Sequence, residues 1–318
     1  MNFRKWPLIT KIAALSFGLS CASQSYAAET CDTVHFSDVG WTDITSTTAV
    51  TTEVLHGLGY QTKTDLLSVP VTYSSMASGN IDVFLGNWMP TMEGDIKKYL
   101  SNGSVEQLRV NLSGAKYTLA VPQYVYDAGV HSFADITKYA DKFRDRIYGI
   151  EPGNDGNRLI QQMIDTNAFQ LKDFDLVESS EAGMISQVSR AIRRHQWIVF
   201  LGWAPHPMNA NFKMAYLSGG DDYFGPNYGG ATIYTNVRKG YTSECPNVGK
   251  FLKNLQFTLP MENRVMDDIL NQNMKPQQAA KSWLKSNLDV LDQWLEGVTT
   301  VDGKPGKAAV VQYLNSNS

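Results

Sequence analysis

The octapeptide VFLGNWMP, Val83–Pro90, decides how this chain is read. An apolar run suited to a buried strand enters a Gly-Asn pair, and Trp88 follows beside a proline, where it is predicted to stand beyond the strand. The device returns at VFLGWAPHP, Val199–Pro207, with Trp203 in the same place. Working outward, the runs TVHF, IDVFLG, YTLAVP, RIYGI, WIVFLG and ATIYTNV alternate with helix-like segments. That alternation predicts an α/β protein with largely parallel sheets, and the paired VFLG stretches predict two similar halves. In EAGMISQVSRAIRRHQ, Met184, Ile185, Val188 and Ile192 recur at helical spacing. Arg193 and Arg194 complement the negative end of that helix. NRVMDDILNQNMKPQQAAKSWLKSNLDVLDQWLEG reads as two packing helices broken near Pro276.

In open parallel sheets, loops leaving the carboxyl ends of strands converge on the ligand crevice. Four segments hold that position: SDVGWTD, GNWMP, EPGND and GWAPHP. Three of them carry a tryptophan: Trp41, Trp88 and Trp203. An indole spent on packing belongs inside a strand or on a helix stripe, so three at equivalent loop positions predict a cage of aromatic faces. Such a cage suits a quaternary ammonium ion, which has no N–H to donate and is held by dispersion and by its charge against π faces. Each ring contributes roughly 0.5–2 kcal/mol, and a micromolar complex needs about 8 kcal/mol.

The chain has 318 residues, 43% of them hydrophobic and 19% charged, enough for two domains. Residues 1–27 read as a secretory signal peptide: Arg4, Lys5 and Lys11, then the apolar run IAALSFGLSCA, then small residues before a cut near Ala27. The run is far shorter than the roughly 20 residues that span a bilayer. Cleavage would leave 25 basic against 31 acidic residues, a net charge of −6. That excess speaks against nucleic acid or an anionic membrane as partner. Cys21 would leave with the leader, and in an oxidising compartment the remaining Cys31 and Cys245 are expected to pair. No nucleophile elbow, Walker loop, dinucleotide fingerprint or metal-type histidine spacing is present, so no enzyme, cofactor or metal is expected. A secreted hydrolase of choline esters is the enzymatic alternative.

Together VGWTDI, FLGNWMP, AKYTLAVPQYV, GIEPGND and GWAPHP resemble the choline- and glycine-betaine-binding subunits of bacterial ABC importers, the choline-binding branch most closely. The resemblance runs from about Thr30 onward. It implies a two-lobe periplasmic binding protein fold (type II), with the ligand sealed in the interlobe cleft and delivered to a permease of the inner membrane. The expected division is lobe I from 28–112 and 213–318 and lobe II from 113–212. The family's aromatic box falls on Trp41, Trp88, Tyr117 and Trp203. Its carboxylate and amide for the alcohol end of choline fall on Asp43 and Asn154, with Asp155 as substitute. Asp43 is also placed to cap the helix that follows. His206 stands where some betaine binders use a histidine on the ligand carboxylate, which keeps glycine betaine or another quaternary ammonium compound as the alternative ligand. A periplasmic monomer is the expected form.

Overall fold

The computed structural model describes residues 1–2 and 31–316, so nearly all of the leader expected at 1–27, and Cys21, lie outside the described residues. Nine strands form one sheet: β1 (Thr33–Asp38), β2 (Gln61–Leu66), β3 (Val83–Met89), β4 (Val105–Pro122), β5 (Arg146–Tyr148), β6 (Asp175–Val177), β7 (Phe200–Ala204), β8 (Met214–Tyr216) and β9 (Gly230–Arg238). Their order is β2-β1-β3-β9-β4-β7-β5-β6, with β8 also on β4.

Each flank is parallel, as the alternating pattern predicts, but the centre is antiparallel: β9 pairs antiparallel with β3 and β4, and β4 antiparallel with β7 and β8. The long strand β4 explains this. Its first part lies on β9 as far as Lys116, and from Lys116 onward it lies on β7. One strand therefore serves both halves of the sheet. All six apolar runs form strands; the three short or polar strands β2, β6 and β8 carried no such signal.

Strands β3 and β7 run on through Trp88 and Trp203, so both indoles belong to strand ends and not to the loops beyond. A bulge between Phe84 and Asn87 lets β3 absorb the Gly-Asn pair and continue. Gly86 is required there because a Cβ would lie 2.6 Å from Ile44 Cδ1. Ile44 sits on helix α1 (Thr42–Gly57), which packs against the helices Leu259–Leu270, Pro276–Ser286 and Gly306–Ser316 of the carboxyl-terminal third. Pro276 opens the second of these, where its missing N–H costs nothing. A disulfide joins Cys31 to Cys245, with Cα atoms 5.5 Å apart, and ties the start of β1 to the same third of the chain. No helix of the described residues is long and apolar enough to cross a membrane.

Candidate functional site

Four rings meet where the two halves of the sheet face each other. Trp41 is the last residue before α1, in extended conformation after Gly40, whose φ of +84° turns the chain out of β1. Trp88 closes β3, and Tyr117 and Trp203 are direct cross-strand partners in the β4/β7 register. The Tyr117 ring lies 6.0 Å from that of Trp88 and 6.3 Å from that of Trp203, edge-on to both. With Asp43 and Ile150 they line a small cavity between them. None of the four aromatic side chains is more than 5% exposed.

Three of the four have their polar atoms held by protein acceptors. Trp41 Nε1–H donates to Glu151 Oε1 at 2.7 Å, Trp88 Nε1–H to Asp43 Oδ2 at 3.1 Å, and Tyr117 O–H to Asn154 Oδ1 at 2.9 Å. Gly156 makes room for the tyrosine, because a Cβ there would fall 2.1 Å from the Tyr117 hydroxyl.

Asp43 is the second residue of α1, not its cap. It is buried, and while Oδ2 accepts from Trp88, Oδ1 has no hydrogen-bond partner. Burial, helped by the negative charge of Glu181, pushes its carboxyl up to about 8 against the Trp88 bond, which pulls it down. Burial likewise pushes Glu151 up to about 7 and Asp155 up to about 6, and holds Glu262, which feels the charge of Asp43, well above the usual carboxylate range. An unpaired cation brought among these groups would stabilise their ionised forms.

Of the other expected residues, Asn154 meets the cage through the Tyr117 hydroxyl, while Asp155 and His206 stand behind it. Asn154 caps the helix α2 (Asp155–Asp165): its Oδ1 accepts from the Asn157 N–H at 3.1 Å as well as from Tyr117, and its Nδ2 donates to Asp155 Oδ1 at 3.1 Å. The backbone N–H fixes which atom is the oxygen. Asp155 adjoins Asn154 without reaching the cavity. His206 packs against Trp203 with ring centroids 4.9 Å apart; its Nδ1 accepts from the Met208 N–H, so its Nε2 carries the proton that faces Glu181 Oε1 at 3.2 Å.

Three residues of the site escaped sequence reading. Ile150 and Glu151 lie within the quoted GIEPGND, where the loop is shaped by Asn157, whose amide bonds both their carbonyls and the Ile150 N–H. Glu181 opens helix α3 (Glu181–Arg193) and had only the look of a first-turn acid. It accepts from the Thr42 N–H at 2.9 Å and from the Thr42 hydroxyl, reaching across to the other half of the sheet. Arg158 of α2 makes a further crossing to Thr91 O and Asp95.

Two α/β lobes on a shared strand, with four aromatic rings lining a cavity between them, define a binding protein of the periplasmic type II class. Residues 32–286 match the substrate binding domain of ABC-type glycine betaine transport system, and the chain belongs to that family, one of transport subunits and not of enzymes. It is 59% identical to a solved structure described as an ABC-transporter choline binding protein in complex with choline, covering 90% of this chain and 99% of that one with a TM-score of 0.89. At the same identity and coverage, the TM-score is 0.83 for the choline binding protein in unliganded semi-closed conformation. Lactococcal OpuAC, closed and complexed with glycine betaine, is 31% identical over 83% of this chain and 99% of its own, with a TM-score of 0.75.

Proposed function

We propose that this chain is the choline-binding subunit of a periplasmic ABC importer, carrying its ligand to an inner-membrane permease as a monomer after removal of its leader. The observation that carries the reading is the meeting of four aromatic rings with a buried carboxylate oxygen on the same cavity that has no hydrogen-bond partner, Asp43 Oδ1. The trimethylammonium group occupies the faces of Trp41, Trp88, Tyr117 and Trp203. The alcohol at the other end donates to Asp43, and Asn154, whose amide keeps one N–H beyond that given to Asp155, donates to the alcohol oxygen. Asp155 supports Asn154, and His206 supports Trp203 without touching the ligand.

Lobe I takes both chain ends and lobe II the middle, with one crossing in β4 around residues 112–116. The second crossing is placed at 217–229. The division expected from the resemblance places it at 212/213, but the pairing of Met214–Tyr216 with Ala120–Pro122 favours the later position.

Glycine betaine is the competing ligand, supported by the family description and by the likeness to lactococcal OpuAC. Where Asp43 is ionised, its carboxylate would meet a like charge in a desolvated cleft, an arrangement that costs several kcal/mol when unrelieved. Calorimetric titration of the two ligands decides between them. Choline is expected to bind at least about tenfold more tightly, a gap of about 1.4 kcal/mol; equal affinities would hand the site to betaine.

A further inference from the structure

The donors a ligand carboxylate would need already serve a carboxylate of the protein. Three lie together beside the cage: the Thr42 N–H at the positive end of α1, the Thr42 hydroxyl, and His206 Nε2–H. All three converge on Glu181, whose Oε2 takes the first and whose Oε1 takes the other two. A helix N-terminus with a hydroxyl and an imidazole N–H is the donor set that suits an anion. Glu181 and His206 are buried, so this anion is fixed within the fold and not a passing surface contact. Its placement ties it to the cage on both sides: Thr42 lies between Trp41 and Asp43, and His206 packs on Trp203.

We propose that Glu181 is a specificity-determining residue, a resident carboxylate that occupies the donors otherwise open to a carboxylate-bearing ligand and so restricts the cage to quaternary ammonium ions with an uncharged far end. The same bonds fasten the first turn of α1 to lobe II, which makes Glu181 a closure contact for any ligand. Its charge also raises the carboxyls of Asp38, Asp43 and Glu151, so the negative field beside the cage adds to the bias against an anionic group.

The inference rests on the choline reading, and the two fail differently. Choline and glycine betaine are titrated calorimetrically against wild type, Glu181→Gln, Glu181→Ala and Glu181→Asp, with a thermal melt of each. Losing the closure contact weakens both ligands in the Gln and Ala variants. Freeing the donors in addition narrows the choline-to-betaine preference by about tenfold, most in Glu181→Ala, while Glu181→Asp keeps the wild-type preference. A purely structural role would weaken both ligands alike and leave the ratio unmoved. An unchanged ratio in either folded variant, against a wild type that prefers choline, overturns the role of Glu181 and leaves the choline reading standing. A wild type that binds betaine as tightly as choline overturns both, because a carboxylate ligand would then be accepted with Glu181 in place.

Discussion

Replacing Asp43 by Asn should abolish most of the pH dependence of choline binding. Asn is nearly isosteric and its oxygen can still accept from Trp88 Nε1–H, so the cage keeps its shape and loses only a charge. A hydrogen bond to an ionised acceptor contributes about 1.5–3 kcal/mol. Against this stands the work of deprotonating Asp43, whose carboxyl is pushed up to about 8 by burial. At pH 9 the group is already ionised and wild type should exceed the variant by the full 1.5–3 kcal/mol, roughly. At pH 6 it must lose a proton two units below its midpoint, costing about 2.7 kcal/mol, and the advantage nearly vanishes. Wild-type affinity should therefore rise as pH climbs from 6 toward 8 and then level off, with a fraction of a proton, about 0.3–0.8, released per choline bound at pH 6.5. The variant's affinity should stay nearly flat. Titration calorimetry from pH 6 to 9, in buffers of different ionisation enthalpy, reads both quantities. Parallel profiles for the two proteins would refute the reasoning and move the proton to Glu151 or another carboxyl. Stability runs the opposite way: an acid whose folded value lies above its unfolded value of 3.8 destabilises the fold increasingly as pH rises between the two. Ligand-free Asp43→Asn should thus melt above wild type at pH 9 and close to it near pH 4.

Trp203→Ala should weaken choline and glycine betaine together, by about 2 kcal/mol or more, since it removes a buried face that both trimethylammonium groups would use; an effect on one ligand alone, read by the same titrations, would deny the shared cage. Gly156→Ala should cost choline affinity and also about 1–3 kcal/mol of stability, because its Cβ displaces the Tyr117 hydroxyl from its buried place beside Asn154; unchanged affinity in the folded variant would mean that the ring position is not critical. Reducing the Cys31–Cys245 bond should lower stability by about 2–4 kcal/mol, measured by denaturant unfolding with and without reductant. Intact mass after alkylation should count no free thiol in the untreated exported protein.

Legibility followed the size of the apolar signal. TVHF, IDVFLG and WIVFLG announced β1, β3 and β7 because buried strands leave continuous hydrophobic runs. QTKTDL, Gln61–Leu66, left none, since β2 is an edge strand on one parallel neighbour and largely exposed. The three tryptophans could be found by position alone, because glycine and proline fix the backbone around them. Tyr117 could not: its place in the cage depends on the antiparallel register that sets it opposite Trp203, and register between strands more than eighty residues apart is written in no local pattern. Asn154 came from the resemblance alone, and its grip on Tyr117 has no local signal. Glu181 stayed hidden for the same reason as Tyr117, since a glutamate at a helix start is locally satisfied by the helix dipole and gives no hint that it reaches Thr42 across the cleft.

The cage also turns the protein into its own optical reporter. Of the seven tryptophans of the chain, Trp6 falls within the expected leader, three are the walls of the cage, and Trp197, Trp283 and Trp294 pack elsewhere among aromatic and aliphatic neighbours. A cation laid on an indole face shifts the energies of its ground and excited states, and closure removes the remaining solvent dipoles around it. Emission from Trp41, Trp88 and Trp203 should therefore change in colour and intensity on occupancy, over a steady background from the other three, without any attached dye. With two of the three indoles replaced by phenylalanine, the surviving signal would give the arrival of the cation separately at each wall.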